Sequence, residues 1–214
     1  MRWMRNPGLL PALVAGWIAL ALLTPEASGD VGESLARART FLDGLPPGQR
    51  EIASVGISAP DRARWSYLPG ARPGLRIADL DADGRRRLDE FLTTALGTEG
   101  MARANRIRLT EPVEERGGQV LIGPDEFRIR FFGLAEDGPP PAWSWRFEGH
   151  HLSLHQTIVG DDVVSATPIF LGSVVRNDGG GEPLGREDAR AEEILRSLSE
   201  EDRVKAMGAA PTAR

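Results

Sequence analysis

Hydrophobic residues recur along this chain first with a helical period and later with a period of two. In residues 32–45, Leu35, Ala38, Phe41 and Leu42 fall at helical spacing until Gly44 and Pro46-Pro47 stop the pattern, which predicts a first amphipathic helix. A short second helix is predicted over 49–55. Residues 62–75 are rich in Pro and Gly and hold Trp65 beside Tyr67, the only tyrosine; an ordered loop packed by its aromatics is expected there. In 83–96, Leu88, Phe91, Leu92 and Ala95 share one face and charges the other, with Gly97 and Gly100 as stop signals before a further helix over 101–109.

After Gly117-Gly118 the period shortens. Phe127, Ile129 and Phe131 alternate with Arg128 and Arg130, and Trp143, Trp145 and Phe147 alternate with Ser144, Arg146 and Glu148. Gly149 interrupts, then 151–159 resumes alternation with Leu152, Leu154 and Ile158 on one face. A turn at Gly160-Asp161-Asp162 leads into a further strand over 163–171. An antiparallel meander of about four strands is expected. The run Gly179-Gly180-Gly181 predicts a loop, and 187–198 and 200–207 predict two closing helices. N-terminal helices, a central antiparallel β-meander and C-terminal helices make an α+β fold, expected as one domain over residues 30–214.

Residues 1–29 change the picture of where this domain works. A basic start with Arg2 and Arg5, an apolar run over 9–23 and the small-residue exit Ala27-Ser28-Gly29 predict a secretory signal cleaved before Asp30. Pro11 and Gly16 interrupt the run, which falls short of the roughly 20 residues of a bilayer span, so no stable membrane anchor is expected after cleavage. The leader has no arginine pair and the chain no cysteine for lipidation, which predicts Sec-type export to a periplasmic or extracellular location. Loss of Arg2, Arg5 and Glu26 would leave the formal charge of −5 one unit more negative. With arginines interspersed among acids and no basic face, nucleic acid is excluded as a partner; other partners stay unassigned. The zero cysteine count removes disulfides, thiolate ligands and a cysteine nucleophile, leaving stability to the core.

The three histidines, His150, His151 and His155, lie within six residues, with Glu148 just before them. Imidazole and carboxylate suit a divalent transition metal. On an extended strand, residues two apart share a face at roughly 6.6 Å and residues four apart are roughly 13 Å apart. Glu148 and His150 would then meet one ion, while His151 and His155 lie on the opposite face, too distant to chelate together. Asp161, Asp162 and Glu126 are further acidic candidates. The alternative is that the histidines are structural, hydrogen-bonded to backbone or to Glu148.

Asp79-x-Asp81-x-Asp83-Gly84 followed by Glu90 matches a calcium loop formally. Pro69 to Gly74 leaves no room for an entering helix, and Arg85, Arg86 and Arg87 put positive charge inside the loop. The reading preferred is that Asp81 or Asp83 caps the following helix, and calcium is not expected. There is no Gly-x-Ser-x-Gly elbow, no His-Glu-x-x-His and no phosphate-binding loop. Ser153, between His151 and His155, is the one serine worth testing as a nucleophile. Trp143 and Trp145 are expected in the core, with a carbohydrate-stacking platform as the alternative.

The string Trp143-Ser144-Trp145-Arg146-Phe147-Glu148-Gly149-His150-His151-Leu152-Ser153-Leu154 resembles a bacterial family named domain of unknown function 3500. The resemblance continues through Ser165-Ala166-Thr167-Pro168-Ile169-Phe170-Leu171-Gly172 and residues 184–207. Upstream it includes Arg72-Pro73-Gly74-Leu75 and Leu96-Gly97-Thr98-Glu99-Gly100. It implies no activity. It does imply a second, histidine-rich portion beyond the equivalent of Met207, which this chain would lack. Two functional readings follow: an exported protein whose Glu-Gly-His-His strand belongs to a metal-binding or catalytic pocket, or a non-catalytic extracytoplasmic binding or interaction module with structural histidines.

Overall fold

The computed structural model describes residues 30–135, 138–173 and 183–208; the expected leader and the glycine run at 179–181 lie outside the described residues. Asp30 opens helix α1 (Val31–Asp43) by accepting the Glu33 N–H on its carboxylate at 3.1 Å, and Ala38, Phe41 and Leu42 turn inward as their spacing requires. Helix α2 (Pro47–Ala53) starts on a proline at its first position, where the missing N–H costs nothing. Helix α3 (Ala82–Leu109) packs along α1 and buries Leu88, Phe91, Leu92 and Ala95. The stop predicted at Gly97 is present as a kink: its φ of 71° breaks helical geometry in a region that favours glycine, after which helix resumes without a separating loop.

Asp81 is the α3 cap, accepting the Gly84 N–H at 2.7 Å. An Asp81→Ala variant is expected to lose about 1 kcal/mol, read as a lower urea midpoint at constant slope. An unchanged midpoint would show that the cap contributes nothing. The other acids of the calcium-like loop engage arginines: Asp79 with Arg76 at 2.6 Å, Asp83 with Arg86 at 3.4 Å, and Glu90 with Arg86 at 2.7 Å and Arg37 at 3.3 Å.

The main sheet is built on β5 (Arg128–Phe132), β6 (Ala142–Glu148) and β7 (Leu152–Val159), the expected antiparallel meander. Two-residue strands β1 (Ser54–Val55), parallel, and β2 (Leu75–Arg76), antiparallel, share the outer edge of β5. The predicted strand over 163–171 is two pieces, β8 (Asp162–Ser165) and β9 (Phe170–Leu171), which share the outer edge of β7. Pro168 lies between them, and without an N–H it cannot extend a ladder. A separate hairpin joins β3 (Glu114–Arg116) to β4 (Gln119–Ile122). Helices α4 (Gly185–Ser197) and α5 (Glu200–Met207) form where predicted but bury none of their residues. No described helix is long and apolar enough to cross a membrane.

One sheet face carries the core. Phe131 lies 5.9 Å from Phe41 and 4.9 Å from Phe91, and Phe91 meets Trp145 edge-on at 5.4 Å. Trp143 and Trp145 are both buried, so neither is a stacking platform for sugars. The opposite face presents Ser144, Arg146, Glu148, Ser153 and His155, and residues 56–74 cross it.

Candidate functional site

Strands β6 and β7 are joined by the turn Gly149-His150-His151, closed by the Gly149 N–H donating to the Leu152 carbonyl at 2.8 Å. Only glycine fits at 149, because a Cβ there would lie 2.5 Å from the ring of Phe127, itself fully buried. This turn corrects the extended geometry expected for the histidines. His150 and His151 sit in the turn and not on a strand, so Glu148 and His150 do not share a strand face. The register instead pairs Glu148 with Ser153 and Arg146 with His155 across the hairpin.

These four side chains are buried and connected. Ser153 Oγ donates to Glu148 Oε2 at 3.2 Å and lies 3.0 Å from His155 Nε2. Arg146 Nε is 3.1 Å from Glu148 Oε1, an ion pair out of hydrogen-bond alignment. Its terminal nitrogens reach the crossing segment: Nη1 donates to the Asp61 carbonyl at 2.5 Å and the Arg64 carbonyl at 2.9 Å, Nη2 to Asp61 Oδ2 at 3.2 Å and the Pro73 carbonyl at 3.1 Å. Burial raises the Glu148 carboxyl above its ordinary value, opposed by Arg146, Arg72, and the Ser153 and Ser66 hydrogen bonds. Burial, then the charge of Arg146, pushes His155 down to about 4. Ser153 is wholly inaccessible, so its hydroxyl is not presented to a substrate as a nucleophile.

The crossing segment leaves clefts on either side. One, of about 380 Å³, is bounded by Arg64, Trp65, Ser66, Arg72, Arg146 and Glu148. The other, of about 260 Å³, takes in His155, Ser144 and Thr157. Arg72 is buried and ties its own loop together, donating to the carbonyls of Ser66, Leu68 and Gly70. Its Nε has no acceptor among the described residues, and it stands in the field of both Glu148 and Glu111. At the rim, Trp65 packs at 6.2 Å on Tyr67 and 5.7 Å on Phe170, yet remains 43% exposed.

His151 belongs to a different arrangement. Glu111, just past the end of α3, accepts its backbone N–H at 2.8 Å and stands 3.1 and 3.0 Å from its Nδ1 through the two carboxylate oxygens. The His150 ring lies 4.0 Å from that of His151, centroid to centroid. Of the other acidic candidates, Asp161 and Asp162 are exposed at the β7–β8 turn and Glu126 pairs with Arg76 at 3.0 Å. Among the described residues no three His, Asp or Glu side chains come together to hold a metal ion.

Asp61, Arg72, Glu111 and Arg146 were not singled out from the sequence. Arg146 had a usable signal, since it alternates in phase with Glu148. Asp61 lies 85 positions from Arg146 and Glu111 lies 40 from His151, and Arg72 is as remote in the chain from the carboxylates of Glu148 and Glu111, beyond the reach of any local pattern.

A family model described as Protein of unknown function (DUF3500) matches residues 28–212. The expectation of a missing C-terminal portion is not borne out, as the match continues through residue 212. No curated protein and no solved structure matches the chain.

Proposed function

We propose that this chain, which belongs to the DUF3500 family, is exported and works outside the cytoplasm as a binding module for a small organic anion with a flat face. The observation that carries this reading is the cleft of about 380 Å³, where three arginines, Arg64, Arg72 and Arg146, face one carboxylate, Glu148. Its size lies within the range of small-molecule pockets. A locally positive cleft in a chain of formal charge −5 favours an anion. Arg72 Nε supplies a buried donor in need of an acceptor, and an unmet buried donor is costly. The half-exposed ring of Trp65 offers a stacking surface at the same rim. A binder is favoured over a hydrolase because Glu148, Ser153 and His155 spend their polar atoms on one another.

Aromatic carboxylates and hexuronates share this chemistry, and calorimetry with both classes separates them. One class is expected to bind saturably at one site per chain, with Trp65→Ala weakening it at least tenfold. If neither class binds, or if Trp65→Ala leaves affinity unchanged, the cleft is not the site.

A further inference from the structure

The histidine turn carries a second site that does not depend on the anion cleft. We infer that His150 and His151 together bind one divalent transition-metal ion, with Glu111 orienting His151 and with solvent or an external ligand completing the coordination. Three observations support this. The Glu111 carboxylate accepts both the backbone N–H of His151 and, at 3.0 Å, its Nδ1–H. That contact fixes the tautomer that leaves Nε2 as a lone pair, the arrangement commonly found behind metal-ligating histidines. The His151 side chain is 18% exposed and that of Glu111 is 1% exposed, so the orienting group is buried while the ligand remains reachable.

The second observation is the spacing of the rings. Two imidazoles bound at right angles to one ion, at metal–nitrogen distances of about 2.0–2.1 Å, place their centroids about 4.5 Å apart. The rings of His150 and His151 lie 4.0 Å apart and tilted by 59°, close to that spacing. The third observation is that His150 Nδ1 is buried with no hydrogen-bond partner among the described residues. A buried nitrogen in that state costs free energy that a bound cation would recover.

Two imidazole ligands select ions of the Cu2+ and Zn2+ type, and the order of divalent-ion affinities makes Cu2+ the tighter. Calcium and magnesium, which take oxygen ligands, are not expected at this site.

The test uses untagged protein stripped of metal and titrated separately with Cu2+ and Zn2+ by calorimetry. One ion per chain is expected, with affinity reduced at least tenfold in His150→Ala and in His151→Ala. Glu111→Gln, which keeps a hydrogen-bonding group while removing the charge, should weaken binding roughly 10–100-fold. Electron paramagnetic resonance of the Cu2+ form needs no variant and should show hyperfine coupling to two imidazole nitrogens. An absence of stoichiometric binding overturns the inference. So does an affinity that survives both histidine substitutions, or a spectrum with one nitrogen or none.

Discussion

An Arg146→Leu variant should lose roughly 3–5 kcal/mol of stability, because removing one partner of a buried ion pair leaves the other charge uncompensated. Arg146 is 1% exposed and meets Asp61, the carbonyls of Arg64 and Pro73, and Glu148 at once. Its loss should therefore free the crossing segment before the sheet melts. Trp65 emission should shift to the red at denaturant concentrations where the helical signal is intact, and proteases should cut first in that segment. Replacing both partners, Arg146→Leu with Glu148→Leu, should restore part of the stability, since it removes the Glu148 charge that the single variant strands while Asp61 keeps Arg130 as a partner at 3.3 Å. A single variant as stable as the parent would show that the network contributes little.

The second large effect is acid sensitivity through His155. In the fold this imidazole is held at about 4, against an ordinary value of 6.5. Between those values the unfolded chain takes up a proton that the fold refuses. Stability should be complete above pH 6.5 and decline as pH falls toward 4, by up to about 3 kcal/mol and by less if solvent reaches the ring. The groups around His155 are Arg146 on β6, Ser153 on its own strand with Glu148 behind it, and Arg62 across the smaller cleft. Glu148, raised by burial, acts with the opposite sign, its stabilisation fading as pH rises past the ordinary carboxylate value. Comparison with His155→Gln separates the two contributions. The variant's stability curve should be flatter than the parent's between pH 4 and 6.5, and parallel curves would refute the assignment.

The elements were legible because local periodicity reports which face is buried. Leu88, Phe91, Leu92 and Ala95 had to share one side of a helix, and Phe127, Ile129 and Phe131 one side of a strand, whatever the remainder of the chain did. The hairpin turn was legible in principle too. The inward positions are odd-numbered through Trp143, Trp145 and Phe147 and even-numbered through Leu152, Leu154 and Ile158, a change of parity that requires an even number of turn residues, here His150-His151 between Gly149 and Leu152. Extending the strand through the histidines missed it and placed His150 beside Glu148. The partners of those histidines were not legible. Glu111 follows a helix end as an ordinary solvated glutamate would, and Asp61 and Arg72 lie in a Pro- and Gly-rich segment, where polar residues are common. What distinguishes them is burial against residues distant in the chain, a property of the folded ensemble that no window of neighbours contains.

The way the sheet is bordered bears on how this protein meets other chains. The outer edge of β5 is occupied by β1 and β2 and that of β7 by β8 and β9, pieces of two to four residues each. Long open edges invite strand addition from another molecule, and short, interrupted ones resist it. At high local concentration the main sheet therefore offers little template for edge-to-edge assembly. A partner would have to recognise the side chains of the crossing segment or the histidine turn, because the backbone ladder has almost nothing left to pair with.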